Sequence, residues 1–198
     1  MKKIILIISV LIFSIVNAQS TDDINIITGM PDSLEKWEIR IYKRFEISNG
    51  IEIFRMYSFK DGYKVELYKY YHPVKGMVEK PYFTKELLKE GQDNYLSWLK
   101  VAMLQIDNLP QMESIRYKLT TKPIIVCDNY GDFGYLTTRS SILDGTSYKV
   151  HYKSNGKTNI IEYSNPESYL KTYPGIDELE LFTELLTTIR DEFDVWKD

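Results

Sequence analysis

Between positions 37 and 47, apolar residues occupy almost every second position. Alternation with a period of two is the pattern of a strand that buries one face. Two further segments of this kind, 51–59 and 63–71, follow after short turns that contain Gly50 and Gly62. The three segments predict an antiparallel, three-stranded meander.

The register of this meander depends on the lengths of its two turns. A two-residue loop at Asn49-Gly50 would mix apolar and polar side chains on each face. A three-residue loop instead places Ile47 opposite Ile51, and the same rule applies to the second turn, 60–62. We therefore predict three-residue loops. One face then collects an apolar set that consists of Trp37, Ile39, Ile41, Phe45, Ile47, Ile51, Ile53, Tyr57, Phe59, Tyr63, Val65 and Leu67.

On the opposite face, this register brings together four large side chains, Phe54, Met56, Tyr68 and Tyr70. Cross-strand aromatic pairs stabilise a sheet by about 0.2–1 kcal/mol each, and soluble monomers rarely expose large apolar patches without a function. The four residues are therefore the candidate partner-binding site. The alternative is that a helix containing Trp98 covers them and makes a second core layer.

Two helices are predicted in addition to the strands. The first begins near Thr84, a suitable N-cap, and ends before Pro110, with Gly91 as an interruption. The second carries an apolar stripe at steps of three and four residues, which consists of Ile176, Leu179, Phe182, Leu186, Ile189, Phe193 and Trp196. Together the elements predict an α+β fold in which antiparallel meanders pack with a central helix and a C-terminal amphipathic helix.

The segments 61–69 and 144–153, DGYKVELYK and DGTSYKVHYK, are similar. Each contains an Asp-Gly turn and a Tyr-Lys-Val strand, and each precedes helical sequence. One interpretation is an ancient duplication with two similar halves, 37–109 and 115–197. The other is that hairpins reuse the same turn and strand residues.

The N-terminus has the three parts of a secretory signal peptide. Two lysines provide positive charge, residues 4–16 are apolar, and Ala18 ends a small-residue cleavage sequence. We predict a signal peptide at 1–18 and a single mature domain at 19–198, secreted or periplasmic. The apolar run is shorter than the roughly 20 residues that span a bilayer as a helix. No transmembrane segment is therefore expected after cleavage.

The composition disfavours one class of partner. With 25 lysine and arginine residues against 28 aspartate and glutamate residues, the formal charge is −3 at pH 7. A mildly acidic protein is a poor candidate for nucleic-acid binding. We expect no nucleic acid among its partners, and another macromolecule of the envelope or the extracellular space instead.

The segment VCDNYGDFGY, residues 126–135, contains three features that resemble reactive sites. Cys127 is the only cysteine and cannot form an internal disulfide; since it follows the apolar sequence PIIV, we predict that it is buried and inert. The DFG tripeptide occurs without the Gly-rich loop, the strand lysine and the H-R-D segment of a protein kinase, so it does not indicate a kinase. A calcium loop starting at Asp128 would have Tyr130 and Phe133 where it needs a ligand and a glycine. A glycine-containing turn is the simpler prediction, with no metal and no cofactor.

Enzymatic chemistry would have to use the two histidines, His72 and His151. The sequence contains no G-x-S-x-G, H-x-x-H or H-E-x-x-H spacing. Glu180 and Glu184 lie on the same face of the last helix. We interpret them as solvated residues on its polar side, where negative charge suits the helix dipole, and not as a catalytic pair. A small hydrolase that uses Asp or Glu and one histidine is the alternative function.

The last third of the chain, from ILDGTSYKVHYKSNG through IIEYSNPESYLKTYPGIDELELFTELLTTI, resembles small exported proteins of Gram-negative bacteria that have no assigned function. This resemblance brings no activity with it. The absence of catalytic spacing favours a non-enzymatic binding or interaction protein of the periplasm or the extracellular space over the hydrolase.

Overall fold

Strands dominate the computed structural model, which describes residues 21–91, 94–142 and 145–197. In chain order the strands are β1 (Glu38–Phe45), β2 (Gly50–Phe59), β3 (Gly62–Tyr71), β4 (Tyr82–Gly91), β5 (Ile124–Cys127), β6 (Phe133–Leu136), β7 (Thr146–Ser154) and β8 (Lys157–Ser164). Six of them form one sheet in the order β4-β3-β2-β1-β7-β8, and every neighbouring pair is antiparallel. The predicted signal peptide, 1–18, lies outside the described residues.

The described α-helices are α1 (Thr21–Thr28), α2 (Tyr95–Met103), α3 (Pro166–Thr172) and α4 (Asp177–Phe193), and two 3-10 helices lie at Ile106–Asn108 and Met112–Lys118. Antiparallel strands combined with helices confirm the predicted α+β class. None of these described helices has both the length and the apolar character needed to cross a membrane.

The chain divides into two units between Ser33 and Leu34. In the first unit, the described part contains α1, where the Thr28 hydroxyl donates a hydrogen bond to the Ile24 carbonyl at 2.8 Å. The main sheet, both strands of the small sheet and the other helices belong to the second unit, Leu34–Asp198.

The register of β2 and β3 differs from the predicted one by one residue. Phe54 lies opposite Leu67, where the three-residue loop predicts Tyr68. The turn has two residues, because Phe59 pairs with Gly62. Lys60 adopts the left-handed conformation, with φ of 51°, whereas the predicted three-residue loop has Gly62 in that conformation. Since neighbouring positions of a strand face opposite sides, this change exchanges the two faces of β3 relative to β2.

The first turn of the meander also differs from the prediction. Arg44, rather than Ile47, lies opposite Ile51. The extra residues form a turn in which the Ser48 N–H donates to the Phe45 carbonyl at 3.2 Å. Ile47 is consequently exposed instead of contributing to the apolar face.

The hydrophobic core lies between one face of the main sheet and the helices α2 and α4. The ring of Tyr163 stacks on Phe182 with 4.2 Å between centroids, and Trp98 stacks on Tyr152 at 5.9 Å. The buried apolar residues of α4 are Leu179, Phe182, Leu185, Leu186, Ile189 and Phe193. This set confirms the predicted amphipathic C-terminal helix.

The segment that follows the meander is a strand and not the start of the predicted helix. Tyr82–Gly91 forms β4, which pairs with β3 at the edge of the sheet. The helix begins only at Tyr95 and ends at Met103. Residues 85–90, KELLKE, favour a helix by intrinsic propensity, but pairing with β3 supplies an alternative set of backbone hydrogen bonds. Tertiary context therefore overrides propensity here.

Candidate functional site

The four residues predicted as a partner site do not share a surface. Phe54 and Met56 are buried in the same core cluster as Trp98. Tyr68 and Tyr70 are also buried, but the register places them on the other face of the sheet. The predicted cluster is therefore wrong, and the alternative of a core layer beneath the helix holds for Phe54 and Met56 only.

The face that carries Tyr68 contains a network of buried charges. Oε1 of Glu38 accepts hydrogen bonds from Nε of Arg40 at 2.5 Å and from Nε of Arg55 at 2.6 Å. Glu66 accepts a hydrogen bond from the Tyr68 hydroxyl at 2.7 Å. The side chains of Glu38, Arg40 and Glu66 have no exposed surface. Glu38 thus has donors from β1 and β2. Glu66 has donors from β3 and, through Nζ of Lys85 at 2.9 Å, from β4.

Both carboxylates of this network are held in their ionised form. Burial is the largest influence on the pKa of Glu38 and raises it, but the hydrogen bonds and charges of the two arginines lower this pKa below its usual value on balance. The pKa of Glu66 is also lowered, because the Tyr68 hydroxyl and the Lys85 ammonium outweigh the effect of burial. Acid–base catalysis by two carboxylates needs one of them to have a raised pKa. This pair therefore gives no support to the hydrolase.

The surroundings of His72 give no support to the hydrolase either. Burial lowers the pKa of His72, and the charge of Arg44 lowers it further. The ring of His72 lies 4.9 Å from that of Tyr70, and the ring of His151 lies 5.3 Å from that of Tyr42. Among the described residues His72 forms no ion pair with a carboxylate, the group that orients a catalytic histidine.

The small sheet of β5 and β6, with the turn that joins them, is an apolar hairpin, residues 124–136. Its strands pair as Ile124–Leu136, Ile125–Tyr135, Val126–Gly134 and Cys127–Phe133. Every residue of both strands is exposed. The exposed fractions of Ile125, Phe133 and Tyr135 are 81%, 80% and 77%. The apolar hairpin therefore presents uncharged, largely apolar side chains on both of its faces.

The apolar hairpin is also open along both edges. The Asp128 N–H donates to the Asp132 carbonyl at 2.9 Å, which makes these residues a hydrogen-bonded pair. Bonded and non-bonded pairs alternate along an antiparallel ladder, so Ile125 and Tyr135 form a non-bonded pair. Their N–H and C=O groups point away from the hairpin, one residue to each edge. No third strand of the described chain pairs with either edge.

The turn of the apolar hairpin accounts for the acidic residues in DNYGDFG. Oδ1 of Asp128 accepts hydrogen bonds from the backbone N–H groups of Tyr130 at 2.8 Å and Asp132 at 3.0 Å. Gly131 has φ of 89°, a conformation that glycine adopts without steric cost. These contacts confirm the predicted glycine-containing turn.

The prediction that Cys127 is buried is wrong. The residue lies at the end of β5 and is exposed. The apolar sequence PIIV suits a strand, but it does not distinguish a strand inside a core from one in a projecting hairpin. The exposed hairpin is the feature that sequence reasoning missed. The sequence FGYL, a second uncharged segment directly after the turn, was the pattern that could have predicted it.

Cys127 should react with a maleimide at similar rates in the native and the denatured protein. The expectation follows because its side chain is exposed and no element of the described chain covers it. Mass spectrometry of quenched time points, with and without urea, measures both rates. A native thiol that is protected for hours would contradict the exposed position of β5.

No protein-family model matches the chain, and neither a curated protein nor a solved structure matches it. The geometry of the chain's own residues is therefore the basis for a function.

Proposed function

We propose that the protein is a non-enzymatic binding protein of the periplasm or the extracellular space, and that the apolar hairpin is its partner-binding site. The observation that carries the proposal is that both faces of the hairpin are exposed while both edges are open. A partner that adds a strand to such an edge gains backbone hydrogen bonds and buries apolar side chains at the same time.

The four-residue strands of the apolar hairpin lack three of the features that usually prevent strand addition. Edge strands of soluble proteins commonly carry lysine, proline or a bulge. None of these interrupts the described strands Ile124–Cys127 and Phe133–Leu136. A two-stranded hairpin is also only marginally stable in water. A third strand from a partner would therefore stabilise it.

The charges around the apolar hairpin specify the kind of strand that it would accept. Asp128 and Asp132 lie at its tip, whereas Lys122 and Arg139 lie at its base. A complementary segment is extended and apolar at alternate positions, with a basic residue towards the tip and an acidic residue towards the base. We infer that the occupant is such a segment of another envelope or extracellular protein.

Proline at an outward-facing position tests this proposal. Ile125→Pro and Tyr135→Pro each remove one N–H that points to an open edge and leave the bonds between β5 and β6 in place. Because a partner strand adds to one edge, we expect one variant to weaken binding by about tenfold or more and the other to bind normally. Partners captured from the native envelope and medium by tagged protein are identified, purified and titrated with each variant.

Tyr117→Ala serves as the control, because Tyr117 is exposed and lies outside the apolar hairpin. It should bind the partner as the unmodified protein does. Normal affinity in both proline variants would contradict the proposed site. A dimer that forms with rising concentration and is lost in either proline variant would identify a second copy of this chain as the occupant, and would overturn the inference of a different protein.

A further inference from the structure

A charged cavity lies at the end of the main sheet where α4 stops. Its volume is about 590 Å³, which is within the range of small-molecule sites. The buried side chains of Leu67, Phe193 and Trp196 form an apolar floor. The charged residues of the lining are Lys43, Glu52, Lys69, Glu86, Asp194 and Lys197. Three positive and three negative groups give the lining no net formal charge.

Three of these charged residues form a row across adjacent strands. Lys43 of β1 lies opposite Glu52 of β2, and Glu52 lies opposite Lys69 of β3. Since positions two apart share a face, Glu52 lies on the same side of the sheet as Phe54, and Lys69 on the same side as Leu67. That side faces the core over the rest of its length. At this end the apolar face therefore continues as a charged surface, on which Glu52 is half-buried and Lys69 is exposed.

Two charges of this row, those of Glu52 and Lys69, do not neutralise each other. Glu52, Lys69 and Glu86 form no ion pair with any described residue, although Glu52 and Lys69 are cross-strand neighbours. All three side chains line the cavity. Their charges are therefore available for hydrogen bonds to a charged ligand.

One wall of the cavity has an unusual backbone. Trp196 has φ of 56°, in the left-handed region that bulky side chains rarely adopt. Asp194 has the same φ as the C-cap of α4, where this conformation is common. The surrounding contacts hold the indole in place: its centroid is 6.1 Å from that of Phe54 and 5.4 Å from Nζ of Lys43. Backbone strain that neighbouring contacts maintain tends to be found at ligand sites.

We propose that this cavity binds a small zwitterion with an apolar side chain, of the class of free amino acids and dipeptides. The Glu52 carboxylate pairs with the ligand's ammonium group, Lys69 pairs with its carboxylate, and the apolar floor contacts its side chain. The Cβ atoms of cross-strand neighbours are about 5 Å apart, so the two side chains can reach opposite charges on one small ligand. The proposal does not depend on the apolar hairpin, which shares no residue with the cavity.

Titration with the dipeptide Ala-Phe tests the proposal. Calorimetry should show saturable binding, and the indole N–H resonance of Trp196 should shift as the floor is covered. Glu52→Gln and Lys69→Gln should each weaken binding by about tenfold or more, because each removes one charge-assisted hydrogen bond. Both positions are at least partly exposed, so the variants should fold, which circular dichroism verifies.

The ligand offers a matched set of controls. N-acetyl-Ala-Phe lacks the ammonium group, so it should bind weakly to the unmodified protein and equally weakly to Glu52→Gln. The amide of Ala-Phe lacks the carboxylate, so it should bind weakly to the unmodified protein and equally weakly to Lys69→Gln. Glu162→Gln, at an exposed position of β8, should leave affinity unchanged. The proposal is overturned if Ala-Phe gives no saturable binding, or if Glu52→Gln and Lys69→Gln bind it as tightly as the unmodified protein.

Discussion

Replacement of Phe54 by alanine should lower the free energy of unfolding by about 3–5 kcal/mol, the range found for large aromatic residues in protein cores. Phe54 has no exposed surface, and its ring lies 5.1 Å from that of Phe193 and 6.1 Å from that of Trp196. The cavity left by alanine would be bounded by the sheet and by the end of α4, so little collapse is expected. Urea denaturation followed by tryptophan fluorescence measures the change.

Phe133→Ala is the matched control for this experiment. It removes the same atoms from a ring that is 80% exposed in the apolar hairpin, so the free energy of unfolding should change by no more than about 0.5 kcal/mol. A difference of several kcal/mol between the two variants is the expected result. Equal and small effects would mean that Phe54 does not contribute to the core, and would restore the predicted role of Phe54 as a surface residue.

The burial of Phe54 depended on the register at both turns, which the sequence could not specify. The first turn differs from the prediction by three positions, which places Phe54 opposite Ile41 on the apolar face of β1, and the second differs by one. The alternation in β2 and β3 predicts both strands correctly. It does not predict that Lys60, rather than Gly62, takes the left-handed position of the turn. Because β3 is apolar or aromatic at positions on both faces, either register buries apolar surface. The hydrophobic pattern therefore left the choice between registers to turn geometry.

The helices and edge strands were predictable to different degrees for a similar reason. The apolar stripe of α4 repeats over several helical turns, and only a helix packed against a core buries all of it. The structure has that helix at Asp177–Phe193. The segment 82–91 has a charged, helix-favouring composition that an edge strand also tolerates. The apolar run 124–127 is equally suitable for a buried strand and for an exposed one. Where two environments accept the same sequence, long-range pairing decides.

The charged residues of β1 are a further case in which pattern alone misleads. The alternation between positions 37 and 47 places Glu38 and Arg40 on the polar face of the strand. The structure places them there, yet neither is exposed. Cross-strand neighbours supply the compensating charges, since Arg55 and Glu66 occupy adjacent positions on the next two strands. Such complementarity appears only when the strand order and register are known.

Glu38→Gln should destabilise the protein by about 3–5 kcal/mol, the cost of removing one partner from a buried ion pair. The substitution keeps the size of the side chain but removes the negative charge that lies 2.5 Å from Nε of Arg40 and 2.6 Å from Nε of Arg55; among the described carboxylates, Arg55 keeps only the more distant Glu66, at 3.9 Å. Urea denaturation at neutral pH measures the loss. Glu162→Gln removes a carboxylate from an exposed position of β8 and should change the free energy of unfolding by no more than about 0.5 kcal/mol.

The dependence of stability on pH separates this electrostatic role from simple packing. The pKa of Glu38 is lowered in the folded protein from its ordinary value of 4.5, so below that value the unfolded chain binds a proton that the folded chain does not. Stability contributed by Glu38 is therefore fully present above about pH 5 and is lost as the pH falls through the folded pKa. The unmodified protein should lose stability steeply in this acidic range, and Glu38→Gln should lose it less steeply. The remaining slope comes from the other carboxylates whose pKa is lowered, Glu66, Glu178, Glu192 and Asp194. Parallel profiles for the two proteins between pH 5 and pH 3 would show that the Glu38 carboxylate does not stabilise the fold through its charge.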